Sequence, residues 1–164
     1  MRTYQEAGPL RRVVRRTAAT RPMARLYGRI QQPADVLAFR LTGGRATLSA
    51  WMGGVRLVML TTVGARSGRP RTLPLLALVD GDAIVVVASN FGRPHNPAWY
   101  GNLRAQPRAQ VLVDGTPRTV VARELAGEER DRWFAHAVAV HPGFEQYRRW
   151  TRRRIPVLRL EPAP

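Results

Sequence analysis

The amino-acid sequence predicts a mainly β fold, a small antiparallel barrel with helices added to it. Apolar stretches of strand length recur from about residue 56 onward, and two of the connections between them, Asp80-Gly81-Asp82 and Asp114-Gly115, are strong hairpin turns. The pattern lacks the alternating strand–helix–strand units that predict a parallel, doubly wound sheet. A chain of 164 residues, 45% of them hydrophobic, is long enough for one domain with a buried core.

The chain divides into three regions. Residues 1–22 carry many arginines and show no usable periodicity, so they are predicted to form a flexible basic tail. Residues 23–44 place apolar side chains at helical spacing on both sides of Pro33, which predicts two short amphipathic helices or one kinked helix. Residues 45–164 are predicted to form the barrel domain.

The elements of the barrel domain follow from apolar runs bounded by turn residues. Strands are expected over residues 56–62, 72–79, 83–89, 109–113, 117–123 and 155–160. Asn96 is predicted to cap a helix that has Pro97 at its first position and ends near residue 105. Glu128 and Glu129 favour the start of a second, longer helix, because negative charge is stabilising at a helix start. A short helix is predicted to follow this second helix.

The charge balance favours anionic partners. All 27 basic residues are Arg, and the formal net charge is +16. Such a charge suits nucleic acid, acidic lipid headgroups or a polyanionic cofactor. The sequence contains no motif that reads nucleic acid bases, so no sequence-specific nucleic-acid binding is expected. No apolar run reaches the length of about 18 residues that a membrane span needs. We therefore expect a cytoplasmic protein, with peripheral contact to an acidic membrane surface left open.

The chain offers no obvious reactive group of its own. It has no Cys, which excludes disulfides, thiolate metal ligands and Cys nucleophiles. His95, His136 and His141 do not combine with carboxylates at ligand spacing, so no metal site is expected. A Ser nucleophile elbow and paired catalytic carboxylates are also missing. An enzyme of this composition is expected to use the chemistry of an organic cofactor.

The segment between the first two predicted strands is the clearest candidate binding site. It contains three guanidinium groups, on Arg66, Arg69 and Arg71, together with the small residues Ser67 and Gly68. Guanidinium groups bind phosphate oxygens bidentately, and free N–H groups in a tight turn add further donors. The spacing matches neither a P-loop nor a dinucleotide-binding fingerprint. It indicates a site for a phosphorylated small molecule, or a solvated charged turn.

A second candidate stretch follows the third predicted strand. That strand delivers Ser89 and Asn90 to a loop rich in Gly and Pro, which leads into the helix start at Pro97. Free N–H groups at a helix start favour anions, and the flat surfaces of Trp99 and Tyr100 favour a ring-shaped ligand. The alternative is that these two aromatic residues only anchor the core.

These stretches together resemble the deazaflavin-dependent nitroreductase family. The similarity extends over roughly residues 45–162, and its most specific motifs are Leu60-Thr-Thr-x-Gly-x-Arg-Ser-Gly-x-Pro-Arg71, Pro74-Leu75, Asp80-Gly81-Asp82, Val87-Ala88-Ser89 and His95-x-Pro97-x-Trp99-Tyr100-x-Asn102-Leu103. The resemblance implies a split β-barrel with N-terminal and inserted helices. It also implies coenzyme F420, a deazaflavin with a phosphate and an oligoglutamate tail, as the cofactor.

The resemblance assigns roles to residues of this chain by position. The implied cofactor-binding residues are Arg66, Ser67, Gly68, Arg69, Arg71, Pro74, Leu75, Leu76, Ala88, Ser89, Asn90, Ala98, Trp99 and Asn102. The implied catalytic residues are Ser89 and Tyr147 as hydrogen-bond donors and His141 as a proton donor. The chain departs from the family pattern at Ala65, Asn90, Leu76, His141 and Phe144, which puts the substrate range in question.

The function implied is transfer of a hydride from reduced F420 to a quinone, an activated enone or lactone, or a nitroaromatic compound. The alternatives are a related split barrel that binds FMN, and a non-catalytic basic protein that binds membrane or nucleic acid. A lipid quinone would bring the enzyme to the inner face of the plasma membrane, and the chain is expected to be a monomer or a homodimer.

Overall fold

The structure is a computed structural model, and it describes residues 56–164. The predicted tail (1–22), the helical segment (23–44) and the first residues of the barrel domain lie outside the described residues. The described part contains, in chain order, β1 (Leu57–Val63), β2 (Pro70–Leu76), β3 (Leu78–Asp80), β4 (Ala83–Val87), α1 (Ala98–Ala105), β5 (Arg108–Val113), β6 (Thr116–Glu124), α2 (Gly127–Val140), α3 (Gly143–Trp150) and β7 (Val157–Pro162). No helix within residues 56–164 is long and apolar enough to cross a membrane.

The strands form one antiparallel sheet that curls on itself. Its strand order is β2-β1-β5-β6-β7-β4-β3, so that β2 and β3 lie at opposite ends although only Ala77 separates them in the chain. Ala77 is fully buried, and its N–H donates to the carbonyl oxygen of Arg56 at 2.9 Å. The sheet must therefore curl until its two edges meet. The prediction of one strand over residues 72–79 is wrong. The segment bends at Ala77 and forms two strands, of which β2 pairs with β1 before the bend and β3 pairs with β4 after it.

Tight turns set the register of the hairpins. Asp114 and Gly115 both have positive φ, 49° and 83°, and connect β5 to β6. This is the geometry that Asp-Gly supplies in a two-residue hairpin, so the predicted turn is confirmed. The turn between β3 and β4 is also confirmed, with Gly81 at a φ of 59°.

Two hydrophobic clusters cover the two faces of the sheet. The first lies inside the curl and includes Leu60, Val111 and Leu160, and α1 packs against it. The second lies outside, between the sheet and α2 and α3. Strand β4 contributes alternate residues to both clusters, which explains why its sequence is continuously apolar rather than alternating.

The start of α1 differs from the prediction. The helix begins at Ala98, Pro97 occupies the capping position, and no side chain caps the helix. The predicted cap by Asn96 is wrong, because the side-chain oxygen of Asn96 accepts a hydrogen bond from Arg153 instead. The start of α2 follows the prediction, with Glu128 and Glu129 in its first turn.

Candidate functional site

A cleft of about 1310 Å³ opens where the curled sheet meets α1. Three parts of the chain surround it: the arginine-containing loop after β1, the inner face of β2, and the segment that leads from β4 into α1. These are the two stretches singled out in the sequence, separated by β3 and β4 along the chain. The antiparallel pairing of β1 with β2 and the return of β4 bring them to one end of the barrel.

The loop after β1 is a tight turn closed by its own backbone. The N–H of Gly64 donates to the carbonyl oxygen of Arg69 at 2.9 Å, and the N–H of Gly68 donates to the carbonyl oxygen of Gly64 at 2.8 Å. Gly68 has a φ of 64°, which favours glycine. A Cβ at Gly64 would lie 2.5 Å from the hydroxyl of Ser67 and 3.2 Å from the carbonyl oxygen of Arg69, so the side chain of Ser67 would have to move. The turn presents Arg66 and Ser67 to the cleft.

Asn102 ties this loop to α1. Its Oδ1 accepts from the N–H of Ala65 at 3.0 Å, and its Nδ2 donates to Oγ1 of Thr62 at 3.0 Å. The bond between Asn102 and Thr62 is buried, since Thr62 is 2% exposed and Asn102 is 9% exposed, whereas the bond to Ala65 is half-buried. Buried polar groups are costly when unpaired, which makes this amide a fixed link between the loop and the helix.

The segment after β4 has an unusual backbone. Asn90, Phe91 and Gly92 have φ values of 47°, 54° and 72° in succession. Asn tolerates this left-handed conformation, whereas a Phe there stores strain of about 1–3 kcal/mol. Side chains of the turn itself help to stabilise it: Nδ2 of Asn90 donates to the carbonyl oxygen of His95 at 2.9 Å, and the ring of Phe91 packs edge-on against Tyr147 with centroids 5.9 Å apart.

We expect Gly92→Ala to destabilise the protein more than Gly81→Ala. Both glycines have positive φ, but only at Gly92 would a Cβ meet other atoms, the carbonyl oxygen of Tyr147 at 3.0 Å and Trp150 at 3.1 Å. Backbone strain alone costs about 1–2 kcal/mol, and overpacking adds about 1–3 kcal/mol. Urea unfolding of the two variants measures this difference in the free energy of unfolding. Equal losses would show that the contacts around Gly92 can relax.

The electrostatics of the cleft are one-sided. Among residues 56–164, the lining of the cleft contains the four arginines Arg66, Arg71, Arg93 and Arg104 and no Asp or Glu. Elsewhere in residues 56–164 many arginines are paired with carboxylates, as in the contacts of Arg123 with Glu129 and Glu161. Positive charge that is unbalanced in a concave site attracts anions.

Other residues of the lining are apolar or aromatic. Leu73 and Leu75 on β2 and Trp99 and Tyr100 on α1 line the same cleft, and both aromatic side chains are at least 92% buried. The hydroxyl of Tyr100 donates to Oε2 of Glu124 at 2.8 Å. Burial raises the pKa of Tyr100, and the hydrogen bond to Glu124 raises it further. The lining therefore combines four arginines with an apolar wall formed by these leucine and aromatic side chains.

Most of the predicted cofactor-binding residues meet in this cleft. Those that line it are Arg66, Ser67, Arg71, Leu75, Ser89, Asn90, Ala98, Trp99 and Asn102. The others, Gly68, Arg69, Pro74, Leu76 and Ala88, lie beside the lining rather than in it. Alternation along β2 is one reason, since Leu75 packs toward the first cluster and Leu76 toward the second.

The three predicted catalytic residues are divided between two places. Ser89 lines the cleft. Tyr147 is 4% exposed in the second cluster, and His141 packs there against Phe144 with ring centroids 5.5 Å apart. Burial raises the pKa of Tyr147 to about 12, so its phenol stays protonated at neutral pH. Neither Tyr147 nor His141 is in the described lining of the cleft, and their catalytic roles stay predictions.

Comparison with known proteins places the chain in a family. The family model described as F420H(2)-dependent quinone reductase matches residues 34–162, which is most of the chain. The chain belongs to this family. The resemblance to deazaflavin-dependent reductases is thereby confirmed, and so is the assignment to the oxidoreductases.

Relatives of this family member agree in sequence and in fold. A candidate F420H(2)-dependent quinone reductase of Mycobacterium tuberculosis, Rv3178, is 33% identical over 108 residues, which are 66% of this chain and 91% of that protein. A solved structure titled F420-H2 dependent reductase (FDR-A) is 38% identical, with a TM-score of 0.60 over 65% of this chain and 94% of the other. A third, titled domain-swapped dimer, is 34% identical with a TM-score of 0.63, covering 77% and 95%. These likenesses confirm the predicted split-barrel fold.

Sequence reasoning missed several residues at the site. Arg93 and Arg104 line the cleft but were assigned no role in the prediction, although Arg93 lies within the second candidate stretch. Arg153 contacts the segment after β4 although it lies 57 to 65 positions further along the chain than its partners there. No local pattern signals such a contact. Gly64 was part of the quoted motif, and its close approach to Ser67 is visible only in three dimensions.

Proposed function

We propose that this protein binds reduced coenzyme F420 in the cleft and uses it to reduce quinone-type acceptors. The observation that carries the proposal is the composition of one cavity, whose lining within residues 56–164 has four arginines, no carboxylate, and several apolar and aromatic side chains. An anionic phosphate and an oligoglutamate tail suit the arginines, and a flat deazaflavin ring suits the apolar wall. Membership of the F420H(2)-dependent quinone reductase family supports the same choice of cofactor.

Each part of the cleft has a separate task in this proposal. Arg66, Ser67 and Arg71 bind the phosphate, and Arg93 and Arg104 supply positive charge for the acidic tail. Leu75, Ala98 and Trp99 contact the ring, with Asn102 holding the loop in place. The remaining predicted residues, Gly68, Arg69, Pro74, Leu76 and Ala88, support the lining from behind.

The chemistry is a two-electron reduction. When bound, reduced F420 supplies a hydride to the acceptor. The protein orients both molecules and excludes water, and good alignment alone lowers barriers by up to about 7–11 kcal/mol. The hydroxyl of Ser89 lies at the cleft and has no hydrogen-bond partner within residues 56–164, so it is available to donate to negative charge developing on the acceptor oxygen.

Quinones are the proposed main acceptors. Enones, lactones and nitroaromatics are proposed as secondary acceptors of the same electronic type. A lipid quinone would require contact with the membrane, for which the basic residues preceding the barrel are the proposed surface. Tyr147 and His141 act in catalysis only if the second cluster rearranges when substrate binds. Self-association into a homodimer is proposed by analogy with the relative whose structure is titled a domain-swapped dimer.

Cofactor binding and turnover test the proposal directly. Calorimetric titration with F420 and with FMN should give clear binding of F420 and weak or no binding of FMN. The protein loaded with reduced F420 should then reduce a menaquinone analogue faster than a nitroaromatic compound. Preferential binding of FMN would favour the related flavin-binding barrels. Absence of binding to both cofactors, with steeply salt-dependent binding to DNA or acidic vesicles, would favour the non-catalytic alternative.

A further inference from the structure

Arg153 follows α3, yet its guanidinium binds the segment that forms one wall of the cleft. Nε donates to the carbonyl oxygen of Arg93 at 3.1 Å, and one terminal nitrogen donates to the carbonyl oxygens of Ala88 and Ser89 at 3.1 and 2.6 Å. The other terminal nitrogen donates to Oδ1 of Asn96 at 2.5 Å. One side chain thus joins both ends of the segment from residue 88 to residue 96.

The partners of Arg153 are unusual for this chain. The hydrogen bonds of its guanidinium within residues 56–164 go to carbonyl and amide oxygens, and no carboxylate there lies within ion-pair distance of it. Its neighbour Arg154, in contrast, contacts Asp131 at 3.6 Å. A planar guanidinium offers five N–H donors in a fixed fork, which suits several carbonyl oxygens that converge on one point. Partial burial lowers the pKa of Arg153, although an arginine remains charged at neutral pH.

The segment that Arg153 contacts has a backbone that needs support. Asn90 and Phe91 both have positive φ, and at Phe91 this conformation persists only when the surroundings impose it. Ser89 and Asn90 line the cleft directly, and Ser89 also accepts from Arg153 through its carbonyl oxygen. A side chain that fixes these carbonyl groups also fixes the direction in which the two residues face.

We propose that Arg153 is a positioning residue whose guanidinium holds the segment from Ala88 to Asn96 in the shape that receives the cofactor. The identity of that cofactor rests on the proposed function, whereas the effect on the segment does not. The neighbouring Arg152 provides a matched control, because it is exposed, lies outside the cleft, and carries the same charge.

Amide hydrogen exchange tests the effect of Arg153 on the segment without any cofactor. The N–H groups of Gly92 and Arg93 donate to the carbonyl oxygens of Ser89 and Asn90 at 3.0 and 3.1 Å, within the segment that Arg153 contacts. In Arg153→Ala we expect these two amides to exchange about tenfold faster or more, with the strand amides unchanged, since local opening becomes easier. Arg152→Ala should exchange like the wild type. Unchanged exchange of both amides in Arg153→Ala would overturn the proposal.

Cofactor affinity provides the second measurement. Because a preorganised wall binds more tightly, Arg153→Ala should raise the Kd for oxidised F420, measured by fluorescence, about tenfold or more. Arg153→Lys keeps the positive charge but loses the planar set of N–H donors, so its Kd for F420 should rise by less. This variant replaces Arg153→Ala in the measurement if the Ala variant does not fold. Millimolar guanidinium should partly restore binding to Arg153→Ala.

The two controls separate the explanations. An equal rise in Kd for Arg152→Ala and Arg153→Ala would assign the effect to net charge and overturn the proposal. Failure of the wild-type protein to bind F420 would refute the proposed function, and the exchange of Gly92 and Arg93 would still decide the role of Arg153.

Discussion

Replacing Arg66 and Arg71 together by glutamine is expected to raise the Kd for F420 by about 100-fold or more. Both side chains line the cleft and are exposed to solvent, so they are free to bind a phosphate. Hydrogen bonds to charged groups contribute about 1.5–3 kcal/mol each, and each 1.4 kcal/mol corresponds to about a factor of ten in Kd. Because neither arginine lies in a hydrophobic cluster, the free energy of unfolding should change little.

The control for this pair is the double variant Arg118→Gln with Arg132→Gln. These arginines are exposed and lie outside the cleft, and their replacement removes the same net charge. Calorimetry at two salt concentrations should show a small, salt-sensitive loss of affinity in the control and a large loss in the site variant. If the two variants lose equal affinity, the loop after β1 is not the phosphate site.

The second large effect is expected for Asn102→Ala, which should lower the free energy of unfolding by about 2–4 kcal/mol. The substitution removes the partner of the buried hydroxyl of Thr62 and of the half-buried N–H of Ala65. It also frees the arginine-containing loop from α1, so affinity for F420 should fall about tenfold as well. Urea unfolding and fluorescence titration measure the two effects separately.

A double-mutant cycle with Thr62→Val sharpens this prediction. If the hydrogen bond between Asn102 and Thr62 is responsible, removing both partners should cost less than the sum of the two single losses, with a coupling of about 0.5–3 kcal/mol. Strictly additive losses would assign the effect to packing around α1 rather than to the buried hydrogen bond.

Local patterns in the sequence were enough for most of the fold. The hairpin turns at Gly81 and Gly115, the helices over residues 127–140 and 143–150, and the mainly β architecture follow from turn chemistry and apolar periodicity. The bend at Ala77 did not follow, because an apolar run of uniform character carries no mark of the point at which it changes partner strands. The capping role of Asn96 was mispredicted because a distant guanidinium competes for its oxygen.

The sequence by itself determined the chemical character of the site: guanidinium groups beside glycine in one stretch, small polar and aromatic residues in another, and no reactive group elsewhere. Only the tertiary structure decided that these stretches face one cleft, that alternate residues of β2 fall on opposite faces, and that Arg93, Arg104 and Arg153 join them. The physical reason is range. Secondary-structure propensities and turn preferences act over a few neighbouring residues. The cleft depends instead on contacts between residues far apart in the chain, such as Arg153 and Ser89, which are 64 positions apart.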